Sequence, residues 1–226
     1  MLEVRNVKIE YYGEEITTLN FAFNKGVTLI LGEVGSYKTT LFSVIGGIKE
    51  IPDGEIIIDG INIEEDHPRY RNIAYVGANS IPQGGKVLTQ LALPVRLRGT
   101  KKTEAKKLAY ATAEKFRLDP NKKIKSLCKA ELVKFFAARL SMRKLQVTMF
   151  DEPYHFLGEE NEHAITKLIN SLGGYVLVSS CDGGDVKRLN PDYLVVVRRD
   201  KILADGKTED VLKNASGEYL TKFLEL

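Results

Sequence analysis

The stretch Leu29-Ile30-Leu31-Gly32-Glu33-Val34-Gly35-Ser36-Tyr37-Lys38-Thr39-Thr40-Leu41 decides how the chain is read. An apolar strand runs into a glycine turn, then a Lys-Thr pair, then a helix with an apolar face. This is the layout of a phosphate-binding loop, G-x-x-x-x-G-K-[ST], with one departure: Tyr37 stands where the pattern has its second glycine. A polyphosphate needs many donors and positive charge with no bulky side chain in the way. Backbone N–H groups from Glu33 through Val34, Gly35, Ser36 and Tyr37 to Lys38 are expected to wrap the β-phosphate. The helix that opens with Thr39 and Thr40 adds its dipole. Gly32 and Gly35 supply the tight turn and the close backbone approach. Lys38 is expected to reach the β- and γ-phosphates, and the Thr39 hydroxyl to hold Mg²⁺. Tyr37 fits if its Cβ points away from the phosphates, which a helical backbone at residue 37 would allow.

Such a loop needs an acidic group beside the metal and a base to orient water. Gln146-Val147-Thr148-Met149-Phe150-Asp151-Glu152-Pro153 supplies both. An apolar strand ends in Asp-Glu, and the proline stops it. Asp151 is placed in the Mg²⁺ shell with Thr39, and Glu152 faces the attacking water as the catalytic base. His155 follows closely on this strand end.

Working outward, residues 2–9 and 16–23 alternate apolar and polar and read as antiparallel strands joined near Tyr12-Gly13. Strands are expected at 27–31, 55–58, 73–76, 147–150, 175–179 and 193–197, and a helix at 39–48. Residues 77–85 form a loop, and 86–142 read as helical throughout. Ala164, Ile165, Leu168, Ile169 and Leu172 mark a helix between two later strands. The result is an α/β chain: one domain over 1–226, with a β-rich start, an α/β core and a helical insertion at about 86–142.

Composition narrows the class. The 226 residues are 43% hydrophobic, enough for a sizeable core, and the net charge is only +3. No run of 18 apolar residues spans a membrane, and the N-terminus lacks a signal-peptide core. Cys128 and Cys181 form neither a metal pattern nor a disulfide framework. A soluble cytoplasmic protein is expected.

Taken together, these marks resemble the ATP-binding subunits of ABC transporters over nearly the whole chain. The resemblance starts at Asn6-Val7 and Tyr11, and passes through Gly26, the phosphate loop and Pro52-Asp53-Gly54-Glu55-Ile56-Ile57-Ile58-Asp59-Gly60. It includes Asp151-Glu152-Pro153 and closes on Asp205-Gly206-Lys207-Thr208-Glu209-Asp210-Val211-Leu212. It implies a P-loop NTPase core of ABC type, with an N-terminal antiparallel β subdomain and an inserted helical subdomain. It also implies ATP and Mg²⁺ as ligands and Tyr11 as the aromatic that stacks on adenine. The partners it implies are a second ATP-binding subunit, in a homo- or heterodimer, and membrane-spanning subunits docked on the helical region. The place of work is then the cytoplasmic face of the membrane.

The departures from the family bear on turnover. With Arg139 on the family's "ARAL" arginine, the signature LSGGQ falls on Leu127-Cys128-Lys129-Ala130-Glu131. In the family this segment contacts the γ-phosphate held by the opposite subunit. Lys129 and Ala130 replace both glycines, and Glu131 is expected to bring negative charge near a phosphate. Gly77 and Ala78 occupy the Q-loop glutamine position, with Asn79 the nearest amide and a candidate metal ligand. Cys181 replaces the H-loop histidine and Gly158 the D-loop aspartate. The groups that hold a nucleotide are present, and those that close on its γ-phosphate are mostly replaced. Slow hydrolysis driving a membrane partner is the implied activity; the alternative is a non-hydrolytic regulatory or dimerisation module of the same fold. Between Arg96 and Lys134, thirteen basic residues face four acidic ones. That suits either a solvated face or anionic lipid headgroups. No interleaved aromatics make a nucleic-acid stacking platform, so no nucleic-acid partner is expected.

Overall fold

The computed structural model describes residues 1–11, 14–63, 72–199, 201–216 and 218–224. β1 (Leu2–Tyr11) and β2 (Glu14–Phe23) form the expected antiparallel pair; the turn at Tyr12-Gly13 lies outside the described residues. β1 also pairs with β4 (Glu55–Ile58), and β4 with β5 (Ile61–Asn62), giving a four-stranded antiparallel sheet. The second sheet has six strands in the order β10-β9-β3-β8-β7-β6. In it β3 (Gly26–Gly32), β6 (Ile73–Val76), β7 (Val147–Asp151), β8 (Tyr175–Ser180) and β9 (Tyr193–Arg198) run parallel. β10 (Lys201–Lys207) closes one edge antiparallel. The sequence reading leaves β10 unassigned, because none of its residues is fully buried and no apolar alternation marks it.

β3 sits between β8 and β9, and residues 27–32 are all buried. A strand covered on both faces needs a continuous apolar run. Val27, Leu29 and Leu31 enter the core on the helical side, while Ile30 enters a second core built with residues of the four-stranded sheet. α1 (Lys38–Ile45) sends Leu41, Phe42, Val44 and Ile45 into that second core. α1 stops short of residue 48 because Gly46-Gly47 follow, with Gly47 left-handed at φ 65°.

The helical side carries α2 (Val87–Arg96), α3 (Lys102–Lys115), α4 (Lys129–Ser141), α5 (Pro153–Leu157), α6 (Glu162–Asn170), α7 (Asp185–Leu189), α8 (Thr208–Asn214) and α9 (Glu218–Phe223). Residues 86–142 are therefore not helical throughout. Gly99 (φ 95°) turns the chain between α2 and α3. Arg117 (φ 53°) turns the chain after α3, and the stretch 116–128 holds a β-bridge from Lys123 to Lys86 and a 3-10 turn at Ile124–Ser126. Among the described residues, no helix is long and apolar enough to cross a membrane.

Tyr37 departs from the helical backbone expected of it. It is the residue before α1, at φ 59° and ψ 14°, in the left-handed region. Glycine enters that region freely, whereas another residue is destabilised by about 1–2 kcal/mol. The half-buried ring packs against the core that α1 shares, which offsets the backbone cost. Tyr37→Ala keeps the left-handed backbone and loses the ring; Tyr37→Gly loses the ring and the strain together. Urea denaturation is expected to find Tyr37→Gly more stable than Tyr37→Ala by about 1 kcal/mol. The reverse order would place residue 37 outside the left-handed region.

Candidate functional site

Four parallel strands finish at one edge: β3 at Gly32, β6 at Val76, β7 at Asp151 and β8 at Ser180. The carboxyl ends of parallel strands are where open α/β sheets place their ligands. The loop leaving β3 is shaped by its glycines in two different ways. A Cβ on Gly32 would come within 2.6 Å of the Val197 carbonyl oxygen, so this glycine serves the close fit of β3 against β9. Gly35, at φ 89° with open space around it, is the turn.

Lys38 is only 7% exposed, and its Nζ donates to the carbonyls of Gly32 (2.6 Å) and Glu33 (3.0 Å). Burial pulls its pKa down, while the charges of Glu152, Cys181 and Asp151 oppose that shift. Ser36 Oγ donates to the Glu33 carbonyl at 2.7 Å and closes the loop on itself. α1 has no side-chain cap and no acid in its first turn. Its first N–H groups are therefore not claimed by an anion of the protein's own. Residues 34–40 and Glu152 line a cavity of about 430 Å³ at this point.

Asp151 ends β7 and is held by hydroxyls. Thr39 Oγ1 and Tyr75 Oη each donate to its Oδ2 at 2.9 Å, and Ser179 Oγ donates to Oδ1 at 2.5 Å. Ser179 Oγ also accepts the Glu152 N–H at 3.2 Å. Tyr75 has room to reach Asp151 because residue 77 is glycine: a Cβ there would lie 2.7 Å from Tyr75 Oη. Burial first, then the Asp151 carboxylate, drive the Tyr75 pKa up, so the phenol stays a donor.

Glu152 turns off the strand end in the left-handed region, at φ 48° and ψ 52°. Burial raises its pKa, and Lys38 pulls it the other way. Its Oε2 accepts from the Cys181 N–H at 3.3 Å and lies 3.7 Å from Cys181 Sγ. Burial and then the Glu152 charge push the Cys181 thiol up, which disfavours the thiolate.

The structure thus sets Lys38, Thr39 and Glu152 on one cavity, with Asp151 hydrogen-bonded to Thr39. Asn79 is exposed on a 3-10 turn (Ala78–Ser80) and is not one of the groups that donate to Asp151. His155 is exposed on α5, and Cys181 is the residue against Glu152. Tyr11 ends β1, and its side chain lies outside the described residues. The sequence reading missed Ser179 and Tyr75. Ser179 carried a signal, since polar residues closing a buried parallel strand mark its carboxyl edge. Tyr75 carried none, being one aromatic in an ordinary strand.

The segment 127–131 also differs from expectation. Lys129 and Ala130 begin α4, with Cys128 at its N-cap. Glu131 does not project its charge outward. Its carboxylate accepts the Cys128 N–H at 2.9 Å and pairs with Lys122 Nζ at 2.6 Å. Lys122 first, then the Cys128 N–H, hold its pKa down at about 2.

Comparison with known proteins agrees with this geometry. Residues 16–155 match the family model described as ABC transporter. The chain is 26% identical over 250 residues to the glutamine transport ATP-binding protein GlnQ of Escherichia coli (strain K12), covering 100% of this chain and 99% of that protein. The fold is shared with cbiO1 of Clostridium perfringens, part of the ABC transporter complex cbiONQ. That match has a TM-score of 0.76 at 21% identity, over 94% of this chain and 90% of the other. A dimeric bacterial ABC transporter cassette matches with a TM-score of 0.75 at 21% identity, over 92% and 98% of the two chains. These similarities favour a transport subunit over the regulatory or dimerisation module. The loop, the acidic strand end and the family match converge: the chain belongs to the ABC transporter family, as an ATP-binding subunit.

Proposed function

We propose that the chain binds MgATP in the cavity at 34–40, hydrolyses it slowly, and couples it to a membrane-spanning partner. The observation that carries this reading is one cavity lined by Lys38, Thr39 and Glu152, with Asp151 hydrogen-bonded to Thr39. Loop N–H groups and the Lys38 ammonium neutralise the β- and γ-phosphates. By resemblance, Tyr11 stacks on adenine. Thr39 Oγ1 and Asp151 Oδ2, 2.9 Å apart, are a hydroxyl and a carboxylate, the hard oxygen donors that Mg²⁺ takes alongside water and phosphate. When bound, the ion neutralises charge on the phosphate oxygens. Glu152 orients the attacking water and takes its proton. A carboxylate with a raised pKa lies closer to working pH and is a better base for it.

Turnover is slow because groups that act across a nucleotide are replaced. Such trans-acting groups are worth about 10³–10⁵ in rate in related P-loop enzymes. Here Glu131 folds back on the Cys128 N–H and pairs with Lys122 at the start of α4. A second ATP-binding subunit, identical or different, is the proposed partner in a dimer. The dimeric cassette and the cbiONQ complex lend support through what those proteins form. The site of action is the cytoplasmic face of a membrane, with the basic helical region towards anionic headgroups.

Glu152→Gln is expected to lower kcat by about 10²–10⁴ while MgATP binding survives; an unchanged rate would remove Glu152 as the base. The same substitution has a stability signature. A raised carboxyl pKa means the folded state binds the proton more tightly, so stability falls as pH rises from the ordinary carboxylate range through the raised value. Glu152→Gln is therefore expected to melt above the wild type at pH 7 and to lose that advantage below pH ~4. Tyr75→Phe removes one donor from Asp151. It is expected to weaken the Mg²⁺ dependence of ATP binding by about tenfold and leave metal-free ATP binding unchanged. Equal shifts in both titrations would make Tyr75 merely structural.

A further inference from the structure

A cavity of about 460 Å³ opens at the amino ends of β7 and β8, the opposite ends of these strands from the nucleotide site. Cavities of this size hold small molecules. Thr148, in β7, lines it and is only 1% exposed, and its Oγ1 has no hydrogen-bond partner. A buried hydroxyl left in that state is destabilising. Three cations, Lys25, Arg143 and Lys144, share the lining with one acid, Asp59. That acid is already held: the Tyr175 hydroxyl donates to it at 2.7 Å, and Lys25 and the N-terminal amine pair with it. Lys144 is exposed, and among the described residues no salt bridge reaches it. Burial and then the charges of Arg98 and Arg139 lower the Arg143 pKa, a crowding of like charge that a neighbouring anion relieves. Leu140, Leu145 and Leu172 add aliphatic wall between these polar groups.

We propose that this cavity is a binding site for a small aliphatic carboxylate, with Thr148 and Lys144 taking its oxygens and the leucines its alkyl chain. The Thr148 hydroxyl asks for an acceptor. The cations ask for negative charge on that acceptor, which strengthens each hydrogen bond to it. The leucines ask for a short apolar body behind the charge. A free phosphate meets the first two demands and fails the third; a carboxylate on a branched chain of a few carbons meets all three. None of these residues belongs to the nucleotide site, yet Thr148 shares β7 with Asp151.

The test titrates the full chain with 4-methylpentanoate and, separately, with inorganic phosphate at the same ionic strength. NMR follows the Thr148 methyl and the Arg143 Nε–H. The branched carboxylate is expected to shift both resonances saturably, and phosphate to bind at least about tenfold more weakly. Thr148→Val keeps the shape of the side chain and removes the hydroxyl. Without ligand it is expected to melt above the wild type, because the unpartnered hydroxyl is gone. Read at Arg143, it is expected to bind 4-methylpentanoate at least about tenfold more weakly. Lys144→Gln, at an exposed position, is expected to weaken binding about threefold or more. If Thr148→Val fails to fold, Lys144→Gln decides alone. No saturable shift, phosphate binding as tightly as the carboxylate, or a folded variant that binds as the wild type does overturns the site.

Discussion

Three hydroxyls from three elements close on the Asp151 carboxylate: Thr39 from α1, Tyr75 from β6 and Ser179 from β8. A half-buried carboxylate must find donors, and each one withheld is destabilising by about 1–3 kcal/mol. Because the donors belong to separate elements, satisfying this one group fixes the edges of β6, β7 and β8 against the start of α1. The position of Thr39 then places Lys38 on the loop carbonyls, and the strand end places Glu152 beside Cys181. The pocket follows from a local demand for hydrogen bonds as much as from the packing of the sheet.

The N-termini of α1 and α4 are treated in opposite ways. α1 begins without a side-chain cap and without an acid, leaving its donors for a ligand. α4 begins with its own glutamate folded back on Cys128 and tied to Lys122. With a pKa held at about 2, Glu131 stays charged at any physiological pH. The first start leaves donors free, and the second carries its own acid and base.

Much of this was written locally in the sequence. The apolar run of β3, the Lys-Thr pair and the strand ending in Asp-Glu are short-range patterns, and each landed where its residue types require. What escaped the reading depends on non-local geometry. Tyr75 acts only because Gly77 leaves space and Asp151 arrives from 76 residues away. The cap on α4 is hidden because cysteine stands where serine or threonine usually signals the motif. The left-handed backbone at Tyr37 contradicts what a tyrosine suggests by itself. β10 shows no alternation because it lies at the open edge. Arg98 follows α2, Arg139 lies in α4 and Arg143 just after it, and only folding brings the three onto one cavity.

The place of β3 in the sheet has a consequence for how the protein is made. Its partners are β8 and β9, at Tyr175–Ser180 and Tyr193–Arg198, far along the chain from Gly26–Gly32. Pairings so distant in sequence form late and slowly. While the chain leaves the ribosome, the loop after β3 has no strand to lean on until nearly all the residues are synthesised. A chain cut before Tyr175 therefore leaves β3 without either of its parallel neighbours and the loop after it without a sheet edge.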